Sequence, residues 1–114
     1  MGITRAVLIV LPNEILGRYV ATALATHGCR ALRAGSAGEA LAVLAAEPEI
    51  DAVLLNPRLR DMDGGEATRA MAATRPGLRV VFTSGATYDP PPGTTFLPTP
   101  FTLSQLLTTL GVGR

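Results

Sequence analysis

Chemistry in this chain can be sought first in the stretch Ala52-Val-Leu-Leu-Asn-Pro-Arg-Leu-Arg-Asp-Met-Asp-Gly64. A short apolar run ends there in a polar loop carrying Asn56, Asp61 and Asp63. A carboxylate at the end of such a run can attack phosphorus and form an acyl phosphate, but the carboxamide of Asn56 cannot. Deamidation does not restore the acid by its usual cyclic route, which needs the next backbone nitrogen as nucleophile, because Pro57 has no N–H. The cap preferences of aspartate assign Asp63, just ahead of a helical stretch, to the helix start, and a structural role is expected of Asp61 too.

Other reactive types are sparse. His27 is the sole histidine, so a two-histidine metal site is excluded, and its place at a helix end suits a cap or solvent. Cys29 is the sole cysteine, which excludes an internal disulfide, and its setting predicts an inert thiol. Gly35-Ser-Ala-Gly38 lacks the third glycine and the lysine of a phosphate loop, and reads as a helix start. No nucleophile–base pair or metal cluster can be assembled from these residues, so an enzyme is not expected, and neither is a bound cofactor or metal.

The elements that position these residues alternate regularly. Val7–Leu11 reads as a strand buried on both faces. Ile15, Leu16, Tyr19, Val20, Ala23 and Leu24 form a helical stripe that His27 and Gly28 close. Cys29–Ala34 reads as an edge strand, and Ser36 with Glu39 as a capping box for a second helix stopped at Pro48. Ala52–Leu55 is the third strand, followed by a helix from Asp63 and Glu66 through Met71 that must end before Pro76. Val80–Phe82 and Thr95–Leu97 are the last two strands. Thr102 and Gln105 start a final helix ended at Gly111. Such alternation implies an α/β fold with a doubly wound parallel sheet, for which the flavodoxin-like order 2-1-3-4-5 is the natural candidate. Between the fourth and fifth strands Pro90-Pro91-Pro92 favours a polyproline-like loop, so the helix expected there is absent or cut to about one turn.

Taken in order and spacing, Leu-Ile-Val near the N-terminus, Leu-Leu-x-x-Arg-Leu-x-x-Met-Asp-Gly, Val-Val-Phe-Thr-Ser-Gly and Phe-Leu-Pro-x-Pro-Phe resemble the bacterial response-regulator receiver (CheY-like) domain over essentially the whole chain. The resemblance places Asn56 at the phosphoacceptor position, Leu11 and Pro12 at the acidic pair that holds Mg²⁺, and Thr99 at the phosphoryl-binding lysine. Thr83 falls on the hydroxyl switch position and Phe96 on the aromatic switch position, without a hydroxyl. It also suggests a cis Thr99-Pro100 bond. Every basic residue here is arginine, so no lysine can substitute from elsewhere. Leucine and proline side chains offer a hard cation nothing.

The resulting expectation is an atypical receiver of a two-component or phosphorelay system, comprising residues 1–114 as one domain. It is not phosphorylated at residue 56 and acts through protein contacts. No output domain is expected after Arg114 unless the chain is part of a longer protein, so output is expected to pass through a partner: a histidine kinase, a histidine phosphotransferase or another receiver. That partner would be bound through the first helix and the loops around Asn56. Loss of the fourth helix weakens the usual dimer face, so a monomer or weak dimer is expected. Two alternatives stand beside this reading: phosphorylation at Asp61, Asp63 or Ser84, and a small-ligand site in the neutralised pocket. A formal charge of +1 gives no footprint for nucleic acid or an anionic membrane, and a single cysteine without a membrane-length apolar run suits the cytoplasm.

Overall fold

The computed structural model describes residues 3–112. In chain order its elements are β1 (Ala6–Val10), α1 (Glu14–Thr26), β2 (Arg30–Arg33), α2 (Ala37–Ala46), β3 (Ile50–Leu55), β4 (Arg58–Leu59), β5 (Met62–Asp63), α3 (Gly64–Thr74), β6 (Arg79–Ser84), β7 (Thr95–Pro98) and α4 (Leu103–Leu110). Five strands form a parallel sheet in the order β2-β1-β3-β6-β7, while β4 and β5 make a two-residue antiparallel hairpin beside it. Numbering the five parallel strands alone gives the order 2-1-3-4-5 read from the sequence.

Strand residues alternate between two cores, as the period of two requires. Ala6, Leu8, Val10, Val53, Leu55, Val80 and Phe82 face Ala37, Ala40 and Leu44 of α2 and Ala67 and Met71 of α3. Val7, Ile9, Ala52, Leu54, Val81 and Leu97 face Val20 and Leu24 of α1 and Leu106 and Leu110 of α4. Central strands buried on both faces must be apolar throughout, and β1 is.

Two local readings need correction. In α1 the buried line is Gly17, Val20 and Leu24, whereas Ile15 and Tyr19 are 74% and 51% exposed. The apolar arc of this helix is wider than the face the sheet can cover, so its edge residues stay in water. Ser36 does cap α2, accepting from Glu39 N at 3.2 Å, but the Glu39 carboxylate reaches Gly35 N at 2.7 Å instead of closing the box on Ser36. The full reciprocal box occurs at α4, where Thr102 Oγ1 accepts from Gln105 N and Gln105 Oε1 accepts from Thr102 N. Gly111 ends α4 in the left-handed region at φ 73°.

Between β6 and β7 residues 85–94 contain no helix. The sheet there is covered by Tyr88, whose ring sits 4.9 Å from that of Phe82 and 6.1 Å from that of Phe96. One aromatic side chain from the proline-rich loop thus stands where a helix would otherwise pack. Burial raises the Tyr88 phenol above its ordinary range, helped by the Asp63 and Asp89 carboxylates.

Candidate functional site

The carboxyl ends of β1, β3, β6 and β7 converge, because parallel strands deliver their ends to one side. Val10 pairs with Leu55, so the chain leaves β1 at Leu11 beside the exit from β3 at Asn56. Asn56 N donates to Val10 O at 3.2 Å and fixes that junction. Across β6, Thr99 N donates to Ser84 O at 3.1 Å, which brings the residue after β7 over the end of β6. The Thr99-Pro100 bond is cis.

These ends enclose a pocket of about 230 Å³ in which Leu11, Pro12, Asn56, Thr83, Ser84 and Thr99 meet. Asn13, Leu16 and Gly85 complete its lining, and every one of these side chains is uncharged. Asn13 was not singled out in the sequence; it caps α1 by accepting from Leu16 N at 3.0 Å. The signal was present, since asparagine followed by glutamate after a strand is a common helix start.

Inside the pocket most polar atoms are already used. Asn56 Oδ1 accepts from Arg58 N at 2.8 Å, the turn that asparagine favours. Its Nδ2 donates to Thr83 O at 3.5 Å, at the limit of a hydrogen bond. The Thr83 hydroxyl, 1% exposed, donates to Leu97 O at 2.6 Å and is tied to β7. Ser84 Oγ accepts from Ala86 N at 3.1 Å and faces the pocket from the next position.

Three residues singled out in the sequence lie outside this pocket. Asp63 caps α3, accepting from Glu66 N at 2.9 Å. Asp61 accepts from Ala37 N at 3.0 Å and Gly38 N at 2.9 Å, capping α2 from a distant loop. These backbone donors hold the Asp61 carboxyl below the usual carboxylate range. The helix start at Gly35–Gly38, which looked superficially like a phosphate loop, is therefore occupied by the chain's own carboxylate. Phe96 sits with Tyr88 on the face of α2 and α3, away from the pocket lining.

A magnesium site built as receivers build it needs carboxylate oxygens around an octahedron. The pocket supplies a carboxamide oxygen already engaged by a backbone N–H, two hydroxyls besides that of Thr83, and no carboxylate. This donor set does not fit the cation.

Sheet order and the convergent strand ends define the flavodoxin-like fold that response-regulator receiver domains share. No family model matches the chain, and no curated protein does. Solved structures carry the comparison. A response regulator receiver protein from Sinorhizobium medicae superposes with a TM-score of 0.83 at 24% identity, covering 94% of this chain and 91% of that one. The receiver domain of the hybrid histidine kinase CckA gives 0.79 at 24% identity, covering 90% and 93%. The receiver domain of the Pseudomonas aeruginosa sensor histidine kinase PA1611, which has magnesium coordinated in its active-site cleft, gives 0.77 at 21% identity, with 93% of each chain covered. Likeness at these identities establishes the receiver fold.

Proposed function

We propose that this protein is an atypical receiver domain of a two-component or phosphorelay system that is not phosphorylated at residue 56 and works through protein–protein contact. The observation that carries this reading is the pocket itself: four strand ends meet there, and Leu11, Pro12, Asn56 and Thr99 leave it without a charge. Phosphoryl transfer to an aspartate needs a nucleophilic carboxylate and cationic help for the developing charge on the phosphoryl oxygens. Neither is supplied by the lining. Magnesium seen in the PA1611 cleft has no counterpart ligand set here.

The partner is a histidine kinase, a histidine phosphotransferase or another receiver, and it meets the surface formed by α1 and the loops around Asn56. Two large apolar side chains support that surface. Ile15 and Tyr19 are exposed on α1, next to Leu16, which lines the pocket. Interface cores are enriched in such aromatic and aliphatic side chains. The domain acts in the cytoplasm as one unit and is not an enzyme; among the described residues no helix is long and apolar enough to cross a membrane. A small-ligand role is less well served, because about 230 Å³ falls below the usual ~300–1,000 Å³ of ligand sites.

Incubation with acetyl phosphate and Mg²⁺ followed by peptide mass spectrometry tests the proposal. The expected result is an unmodified chain. A phosphoryl group on Ser84, Asp61 or Asp63 would replace this reading with phosphorylation at an unconventional acceptor.

A further inference from the structure

Beside the neutral pocket, arginines gather where the chain leaves β1, β2 and β3. Arg58 and Arg60 line a recess of about 320 Å³ with Pro12, Gly35 and Leu59. An adjoining cleft of about 460 Å³ shares Pro12, Gly35 and Arg60 with it and adds Arg33. All three arginines are exposed, whereas Leu59 packs into the core. The backbone that carries them is firmly held. Arg58 N donates to Asn56 Oδ1 at 2.8 Å, Arg58 and Leu59 pair with Asp63 and Met62, and Asp61 ties the hairpin turn to α2. Carboxylates border both hollows, and each already has a partner. Glu14 meets Arg33 at 3.3 Å, Glu39 accepts from Gly35 N, Asp61 from Ala37 N and Gly38 N, and Asp63 from Glu66 N. The guanidinium groups of Arg58 and Arg60 make no hydrogen bond or ion pair among the described residues. The charge left to be met is positive.

We infer that Arg58 and Arg60 receive carboxylate side chains of the partner protein, presented by an acidic segment that carries an apolar residue among its acids. The inference rests on the proposed function, whose partner surface it extends from α1 to the β4–β5 hairpin and to which it gives a chemistry. A guanidinium can hold a carboxylate through two parallel hydrogen bonds, and Pro12 and Leu59 give the same recess an apolar wall. Because the hairpin backbone is already fixed, less order has to be imposed on binding. The bordering carboxylates select among anionic partners. Glu14, Glu39 and Asp61 repel a nucleic-acid strand, whose phosphates follow one another closely, while separate acids on a folded surface can reach one guanidinium each.

Fluorescence anisotropy of a labelled peptide of repeated Glu-Glu-Leu triplets, titrated with the full chain, reads this contact. The acidic peptide is expected to bind, and the same peptide with lysine in place of glutamate is not. Arg58→Gln combined with Arg60→Gln weakens binding about tenfold. Arg69→Gln combined with Arg79→Gln removes as much charge from exposed positions on α3 and at the start of β6, and changes the affinity by no more than about twofold. Circular dichroism checks that both double variants are folded. Absence of binding overturns the inference, as does an equal loss in the two double variants, or tighter binding of a single-stranded oligothymidylate than of the peptide. Acetyl phosphate labelling reads the proposed function separately. An unmodified chain that ignores the acidic peptide ends this inference alone, whereas a phosphorylated chain removes the reading on which it rests.

Discussion

Replacing Tyr88 asks how a domain of this fold survives without a helix between β6 and β7. The ring of Tyr88 packs against Phe82, which is fully buried, and against Phe96 on the edge strand. Each aromatic pair of this kind is worth ~0.5–1.5 kcal/mol beyond the area it buries. Tyr88→Ala removes both pairs and the partial burial of one ring, so a loss of about 2–3 kcal/mol is expected. For a domain of this size that lowers the melting temperature by roughly 10 °C. Tyr88→Phe keeps the ring, and the hydroxyl makes no hydrogen bond among the described residues, so a change within about 0.5 kcal/mol is expected. Thermal melts followed by circular dichroism, with hydrogen exchange on β7, read both variants. If Tyr88→Ala melts with the parent chain, the loop is not the cover that replaces the helix. If Tyr88→Phe falls as far as Tyr88→Ala, the stabilising part is the hydroxyl and the packing argument is wrong.

Gly64→Ala tests the close approach at the start of α3: a Cβ there would lie 2.6 Å from Phe82 Cε1 and 3.0 Å from the backbone of Pro57. Overpacking of this kind costs about 2 kcal/mol, measured by urea denaturation, and an unchanged midpoint would show that the turn relaxes freely. Asp61→Asn should lower the melting temperature at neutral pH and matter less in acid. A carboxyl held below its ordinary range by Gly38 and Ala37 contributes stability that is present above the unfolded value and lost as pH falls. Equal melting of the two proteins at every pH would remove Asp61 from the cap. Burial pushes the Cys29 thiol up to about 11, with the Asp51 carboxylate adding to the shift. Alkylation of the folded chain at mildly basic pH should therefore be slow and become rapid on denaturation; fast labelling of the native protein would contradict its burial.

Much of the fold could be read from residue types because local and global signals agree. The strand runs Val7–Leu11 and Ala52–Leu55 lie within a residue or two of β1 and β3, and Pro90–Pro92 correctly excluded a helix. Thr102, Gln105 and Gly111 bound α4 as their side-chain chemistry requires. What escaped depends on contacts distant in sequence. That Asp61 would cap α2 across the molecule is invisible locally, since its partners Ala37 and Gly38 lie on another element. Which part of the α1 stripe is buried depends on where β2 sits: a Cβ on Gly17 would come within 3.2 Å of the Arg33 guanidinium, so that face lies tight against the strand while Ile15 and Tyr19 turn outward. At the site, order along the chain placed Leu11, Pro12, Asn56 and Thr99 together, because parallel strands must deliver their ends to one side. It did not show that the Thr83 hydroxyl is tied to Leu97 O, which follows from the pairing of β6 with β7.

The central claim is that a pocket of uncharged side chains has no use for a cation or a phosphoryl group. Its most direct test is the melting temperature of the chain with and without millimolar Mg²⁺, and again with beryllofluoride added. A ligand that binds the folded state a hundredfold above its dissociation constant stabilises by about 2.7 kcal/mol, a shift of many degrees in a domain this small. Superimposable melting curves are the predicted result. A rise of several degrees with either addition would contradict the account.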